Sequence, residues 1–433
     1  MPRDLILHIG TSKTGSTSIQ NLLDINRPAL LAQGICYPAT PGGNTHLLLA
    51  SAFTSFPTMY NDPDNPLWQG RKPEAAIADH LAQLRAEVAG LSGDTTRIIL
   101  SCEQFSMYER TEADIVRLRD FALTLADRCT VVVYLRRQDE HFASLYSQFL
   151  RLGNIDEPNM GKLHPFHQDY DYSDFMARWA NVFGKENVVP RIFERGTDKR
   201  FDVLADFAGV SGFDLTLMRF QKEAVRNQSM TLAGQEMLRR FGRRLQADSP
   251  DRNLPGQIWQ RAAKAVSDTS PGKGWLPTQA EARAFMEGYA ASNDIVRSAY
   301  FPDKASLFQT SFDALPMQAE TVPLEAVVAA TVEALLASLK DGVAREVRFQ
   351  LEKAKLAQAF GDVTLRRNAL SQAVRLDSSN VNSRLRLAEC LAEQGDMSAA
   401  QQQLAVAAKL APGGHNVAVV RRKLMAIGKA SAP

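Results

Sequence analysis

The sequence predicts an α/β protein, with helices in layers on both sides of a parallel sheet, followed by an all-α region of helical repeats. Three observations carry this. Residues 5–23, LILHIGTSKTGSTSIQNLL, pass from an apolar strand-like run, through a loop of Gly, Ser and Thr, into a helical periodicity at Ile19, Leu22 and Leu23. Residues 131–135, VVVYL, form a continuous apolar run, the pattern of a parallel strand buried on both faces. Near the C-terminus Gly361-Asp362 recurs as Gly395-Asp396, and Leu370, Ala373 and Leu376 recur as Leu404, Ala407 and Leu410, a period of 34 residues.

Composition sets the limits. A chain of 433 residues with 45% apolar content can bury one large domain or two to three smaller ones. There is no apolar run of about 18 residues, so no membrane span is expected. The start, MPRD, passes straight into the first strand without a secretory signal pattern, and a cytoplasmic location is expected. Cys36, Cys102, Cys129 and Cys390 are scattered, which suits a reducing compartment and argues against a disulfide framework or a zinc site. No metal and no nucleic-acid partner is expected. Residues 340–433 hold 15 Lys and Arg against 8 Asp and Glu, so this tail is a distinct basic region, either a solvated helical face or a contact for acidic partners.

The loop after the first strand is built for an anion. At a helix N-terminus such a loop offers backbone N–H groups, hydroxyls and the positive end of the helix dipole. Gly10 and Gly15 sit where the glycines of the nucleotide-triphosphate loop G-x-x-x-x-G-K-[ST] sit, and Thr17 takes its final hydroxyl position. Ser16, however, stands where that loop has its lysine, and the lysine is Lys13, inside the loop. Downstream, YPATPGGNTH at 37–46 is a loop by its Pro, Gly and Asn content. His46 within it is either an acid, base or acceptor contact over a cleft, or a solvated loop histidine. Residues 55–74 read as a surface excursion and 73–91 as a helix.

The strand RIILS, Arg97–Ser101, ends just before Glu103. Ligand crevices of open α/β sheets lie at the carboxyl ends of the strands, so Glu103 is a candidate general base, with Mg²⁺ ligation and a structural cap as competing roles. The strand at 131–135 ends in Arg136 and Arg137, and QDEHFASLYSQFLRLG after it has helical spacing, with Gly153 as its stop. Arg136 and Ser144 are eight residues apart, a spacing that brings a guanidinium fork and a hydroxyl to one phosphate. Residues 187–194 read as a further strand.

KTGST in this setting resembles the 5'-phosphosulfate loop of sulfotransferases that use 3'-phosphoadenosine 5'-phosphosulfate (PAPS), and HIGTSKTGSTSIQ looks like the bacterial members of that family. The family holds the donor's 3'-phosphate with an Arg at a strand end and a Ser eight positions later, followed by x-Tyr; Arg136, Ser144 and Tyr146 match. The resemblance covers about residues 4–210 and implies a P-loop-like sheet. It implies that Lys13, Thr14, Gly15, Ser16 and Thr17 bind the 5'-phosphate, with Lys13 also stabilising the leaving oxygen. Arg136 and Ser144 would bind the 3'-phosphate, and Glu103 would act as base, with His46 as the other candidate for that role. Two departures stand out: Gln138 replaces the Pro of the family's Arg-x-Pro, and Ser101 stands where cytosolic relatives have Lys two residues before the base. PGKGW, residues 271–275, is a loose counterpart of the third donor loop of cytosolic members.

The expected division is a donor-binding α/β domain at 1–315, in which 220–315 is a helical region on the acceptor side, then a helical connector at 316–350. Tetratricopeptide-like repeats follow at 351–427 and a disordered tail at 428–433. The activity implied is sulfuryl transfer from PAPS to a hydroxyl or amine of a small-molecule or glycan acceptor, carbohydrate or glycolipid in the first place. The repeats imply a protein partner or self-association. A P-loop kinase or nucleotide hydrolase, and a non-catalytic repeat scaffold with a degenerate donor domain, are the alternatives.

Overall fold

A computed structural model describes residues 2–40, 43–55, 71–108, 111–162, 170–194, 202–220, 229–248, 256–309 and 311–430. Five parallel strands, β1 (Asp4–His8), β2 (Ile35–Cys36), β3 (Arg97–Ser101), β4 (Arg128–Arg136) and β5 (Val188–Phe193), form one sheet in the order β2-β3-β1-β4-β5. Leu5 pairs with Ile98 on one side and with Cys129 on the other, which puts β1 at the centre. The chain builds β2 and β3 on one side of β1 and then crosses to β4 and β5 on the other. The carboxyl end of β1 is therefore the topological switch point, where sheets of this kind bind ligands.

Alternation along the strands supplies two buried faces. Leu5, Leu7 and Ile9, with Ile98, Leu100, Val131 and Val133, pack against Leu84 of the helix Pro73–Ala89, Leu118 of Glu112–Ala122 and Trp179 of Tyr172–Phe183. Ile6, Ile99, Val132 and Tyr134 pack on the opposite face against Ile19 and Leu23 of the helix Ser16–Ile25 and Phe207 of Val203–Ser211. Helices thus cover both faces of the sheet, the α/β architecture expected. The run VVVYL of β4 is fully buried throughout, as its unbroken apolar sequence requires.

The chain divides into two compact units, Met1–Gln235 with Gly272–Val322, and Glu236–Pro271 with Pro323–Pro433. Of the region expected at 220–315, Glu236–Pro271 falls in the second unit. That unit is all-α. The helix Gly256–Thr269 packs along the helix Leu324–Ala359, and Val363–Leu376, Val381–Glu393, Met397–Leu410 and His415–Ala430 follow. Leu324–Ala359 runs unbroken for 36 residues, through the connector position at 350 into the first repeat. The 34-residue period has a structural cause. Gly361 and Gly395 both adopt left-handed conformations (φ 73° and 82°), and Asp362 and Asp396 next to them each cap the following helix through a side-chain oxygen, to Leu365 N and Ala399 N. Leu370 and Leu404 are buried at equivalent places in one core, and Ala373 and Ala407 are both fully buried as well. The last helix includes residues 428–430, and 431–433 lie outside the described residues. Among the described residues no helix is long and apolar enough to cross a membrane.

Candidate functional site

The site assembles where β1, β3 and β4 end. Beyond β1 the chain stays attached to β4: Tyr134 N donates to Gly10 O (2.6 Å) and Thr11 N to Tyr134 O (3.2 Å). The loop then fixes three consecutive carbonyls, each by a hydrogen bond. Thr11 O accepts from the Thr14 and Ser16 hydroxyls (2.5 and 3.2 Å), Ser12 O from His141 Nε2 (2.8 Å), and Lys13 O from Arg136 Nη1 (2.9 Å). A carbonyl accepts only, so Nε2 of His141 carries the proton. Lys13 itself is left-handed, at φ 62°.

The helix Ser16–Ile25 begins its internal bonding at Gly15 O, which accepts from Ser18 N and Ile19 N. Among the described residues the N–H groups of Gly15, Ser16 and Thr17 ahead of those bonds have no partner. Three donors and the positive end of the helix dipole are thus presented together, with Lys13 in the same loop. Gly15 adopts φ 87°, and a Cβ there would lie 2.9 Å from Val203 Cγ1, so the helix start is closed to any larger residue. The hydroxyl protons of buried Thr14 and Ser16 are committed to the loop, whereas the Thr17 side chain is exposed. What Thr14, Gly15 and Ser16 offer an anion is therefore mainly backbone.

Glu103 sits two residues past β3, against Gly10, where a Cβ on the glycine would meet Glu103 Cα and Cβ at 3.0 Å. Its Oε2 accepts from Gln20 Nε2 at 2.9 Å, and Gln20 is a buried residue of the first helix. Loop, helix and carboxylate are thereby brought together. The predicted histidine lies to one side of these groups. His46 is only 1% exposed, its Nδ1 accepts from Ser101 N (3.1 Å), and its ring meets the edge of Tyr37 at 4.9 Å. Burial pulls its pKa down to about 4, so it is neutral at neutral pH. It braces the end of β3 from within rather than standing solvated in its loop.

Arg136, at the end of β4, spans several groups besides Lys13 O. Its Nη2 lies 3.5 Å from Glu140, and its guanidinium lies 5.5 Å from the ring centroid of Phe193, its register partner on β5. Ser144 is half-buried on the helix Gln138–Leu152, three residues beyond His141 and so on the same side of that helix. Tyr146 donates to Asp156 O (3.3 Å) and meets the ring of Trp275 at 5.8 Å, which places Trp275 beside this helix. Gln138, the residue that departs from Arg-x-Pro, is fully buried and exchanges hydrogen bonds with Asn293 (2.7 and 3.3 Å).

Three of the groups were not read from the sequence. Gln20 carried no signal beyond its helical position, and His141 reaches a partner 129 residues away. His8, the last residue of β1, is fully buried with Nδ1 2.8 Å from Ser101 Oγ, and burial lowers its pKa to about 3. Among the described residues no group of three or more His, Cys, Asp or Glu is arranged to hold a metal.

The tetratricopeptide repeat family model matches residues 351–424, the repeat region of the second unit. No curated protein matches the chain. Among solved structures, a sulfotransferase from Alicyclobacillus acidocaldarius aligns at 16% identity over 52% of this chain and 87% of its own, with a TM-score of 0.31, too slight a likeness to argue from.

Proposed function

We propose that the first unit is a sulfotransferase, transferring a sulfuryl group from PAPS to a hydroxyl, or an amine, of a carbohydrate or glycolipid acceptor. The observation that carries the reading is the loop whose three carbonyls are each held by a hydrogen bond and whose three N–H groups stand open beside Lys13, one strand from Glu103. The donor supplies an activated sulfuryl group on a phosphate oxygen. The open N–H groups and Lys13 hold the 5'-phosphate and take up the charge that builds on its oxygen as the bond to sulfur breaks. Arg136 and Ser144 hold the 3'-phosphate and so set the donor's register. Glu103 accepts the acceptor's proton as the new O–S bond forms, and Gln20 steadies Oε2 so that the other oxygen faces the acceptor. His46, buried and neutral, is left the role of bracing the strand that carries Glu103. The repeats of the second unit are proposed to bind a protein.

The test is release of adenosine 3',5'-bisphosphate from the donor in the presence of a panel of sugars, glycolipids and phenols. Acceptor-dependent release, lost in Glu103→Gln, is expected. Binding of the donor with no acceptor-dependent release would favour a non-catalytic scaffold, and turnover of ATP with Mg²⁺ would favour a kinase or hydrolase.

A further inference from the structure

The helix Leu324–Ala359 presents two faces in its first half. Val327, Ala330 and Ala334 are buried. Roughly 140° around the helix from them, at about 100° per residue, run Leu324, Val328, Val332, Leu335, Leu339 and Val343, each 40–62% exposed. Scattered exposed apolar residues need no explanation, but a continuous stripe does. Four of these residues, 328, 332, 335 and 339, follow the alternating four-and-three spacing of a coiled-coil seam.

The stripe is also a palindrome. Val332 and Leu335, Val328 and Leu339, and Leu324 and Val343 are pairs equidistant from a point between Glu333 and Ala334. We propose that this stripe is a homodimer interface, on which a second copy of the chain packs the same helix antiparallel about a two-fold axis through that point. An isologous contact requires a self-complementary patch, and here every apolar position meets another apolar position under the two-fold. Charge selects the antiparallel arrangement. A parallel pair would set Glu325 against its own copy, whereas the antiparallel pair brings it opposite Gly342 of the second copy, two residues from Lys340. The exposed apolar surface is on the order of 600 Å² per copy, or roughly 1,200 Å² for the pair, the size at which specific interfaces begin.

Light scattering with size exclusion on the full chain tests this. The expected mass is about twice 47.8 kDa, and Leu335→Glu with Leu339→Glu should weaken dimerisation at least 100-fold while leaving the helical circular dichroism unchanged. A wild-type chain that stays monomeric at tens of micromolar, or a charged double variant that dimerises normally, overturns the proposal. Mixing Leu324→Cys and Val343→Cys chains carrying different tags decides the orientation. A disulfide between the two variants is expected, whereas Leu324→Cys chains linked only to each other would contradict the antiparallel pairing.

Discussion

His141→Ala removes the N–H that fixes the Ser12 carbonyl, 2.8 Å away, without touching any group proposed to contact donor. Leaving this part-buried carbonyl unpaired costs at most the roughly 1–3 kcal/mol of a buried one. The free loop can escape that cost by rotating the Ser12 peptide, which turns a carbonyl toward the place where the open N–H groups of 15–17 stand. Affinity for adenosine 3',5'-bisphosphate should therefore fall by roughly 5- to 150-fold, the same free energy expressed as a dissociation constant. Part of the effect appears as lost folding stability, because the His141 ring also packs at 5.4 Å from Tyr170. Calorimetric titration of the bisphosphate, alongside a thermal melt, separates the two. His141→Gln, which keeps an N–H of similar reach, should recover a large share of the affinity. If His141→Ala binds the bisphosphate as tightly as wild type, the carbonyl tether does not shape the loop and the reasoning fails.

Glu103→Gln should bind the bisphosphate within about twofold of wild type yet lose roughly 100- to 10,000-fold in acceptor-dependent turnover, the range of general-base removal; normal turnover would move the proton elsewhere. Gln138→Ala strands the buried Asn293 amide and should destabilise the first unit by about 1–3 kcal/mol in urea titration, and an unchanged midpoint would contradict the pairing. Burial holds His8 and His46 at about 3 and about 4, below the usual 6.5. Above pH 6.5 both are neutral folded and unfolded. Below it the unfolded chain takes up protons that the folded chain refuses, so each histidine should remove about 1.4 kcal/mol of stability per pH unit down to about pH 4. Urea midpoints at pH 7.5 and pH 5 check this, and a midpoint that holds or rises on acidification would refute it.

The elements were legible where local pattern and tertiary role agree. LILHIG followed by Gly, Ser and Thr marks the central strand and its loop because burial on both faces and a tight turn into a helix start each demand particular residue types in a row. VVVYL and the repeated Gly-Asp turns are similarly self-contained: a strand buried on both sides needs no alternation, and a left-handed glycine followed by a capping aspartate needs only two residues. The clamp on the loop was not legible, because His141 and Arg136 act on carbonyls more than 120 residues earlier and only the fold brings them there. Arg136 was read as a phosphate ligand; what the structure shows is its grip on Lys13 O, a task that spacing alone does not express. His46 followed a loop of Pro, Gly and Asn, yet a bond to the Ser101 backbone draws it into the interior. The helix crosses position 350 unbroken, as the lack of Gly or Pro there allows; the boundary was drawn from the repeat period, which marks where a repeat begins and not where a helix does.

The most direct measurement is calorimetric titration of adenosine 3',5'-bisphosphate into the purified chain in EDTA, with ATP and Mg²⁺ as the comparison, repeated on Lys13→Ala and Arg136→Ala. Tight binding without magnesium, weakened at least 10-fold in each variant by loss of a charge-assisted contact of about 1.5–3 kcal/mol, is the predicted result. Preference for ATP with Mg²⁺, or bisphosphate binding indifferent to both substitutions, would contradict the account of the loop as a cradle for the sulfuryl donor.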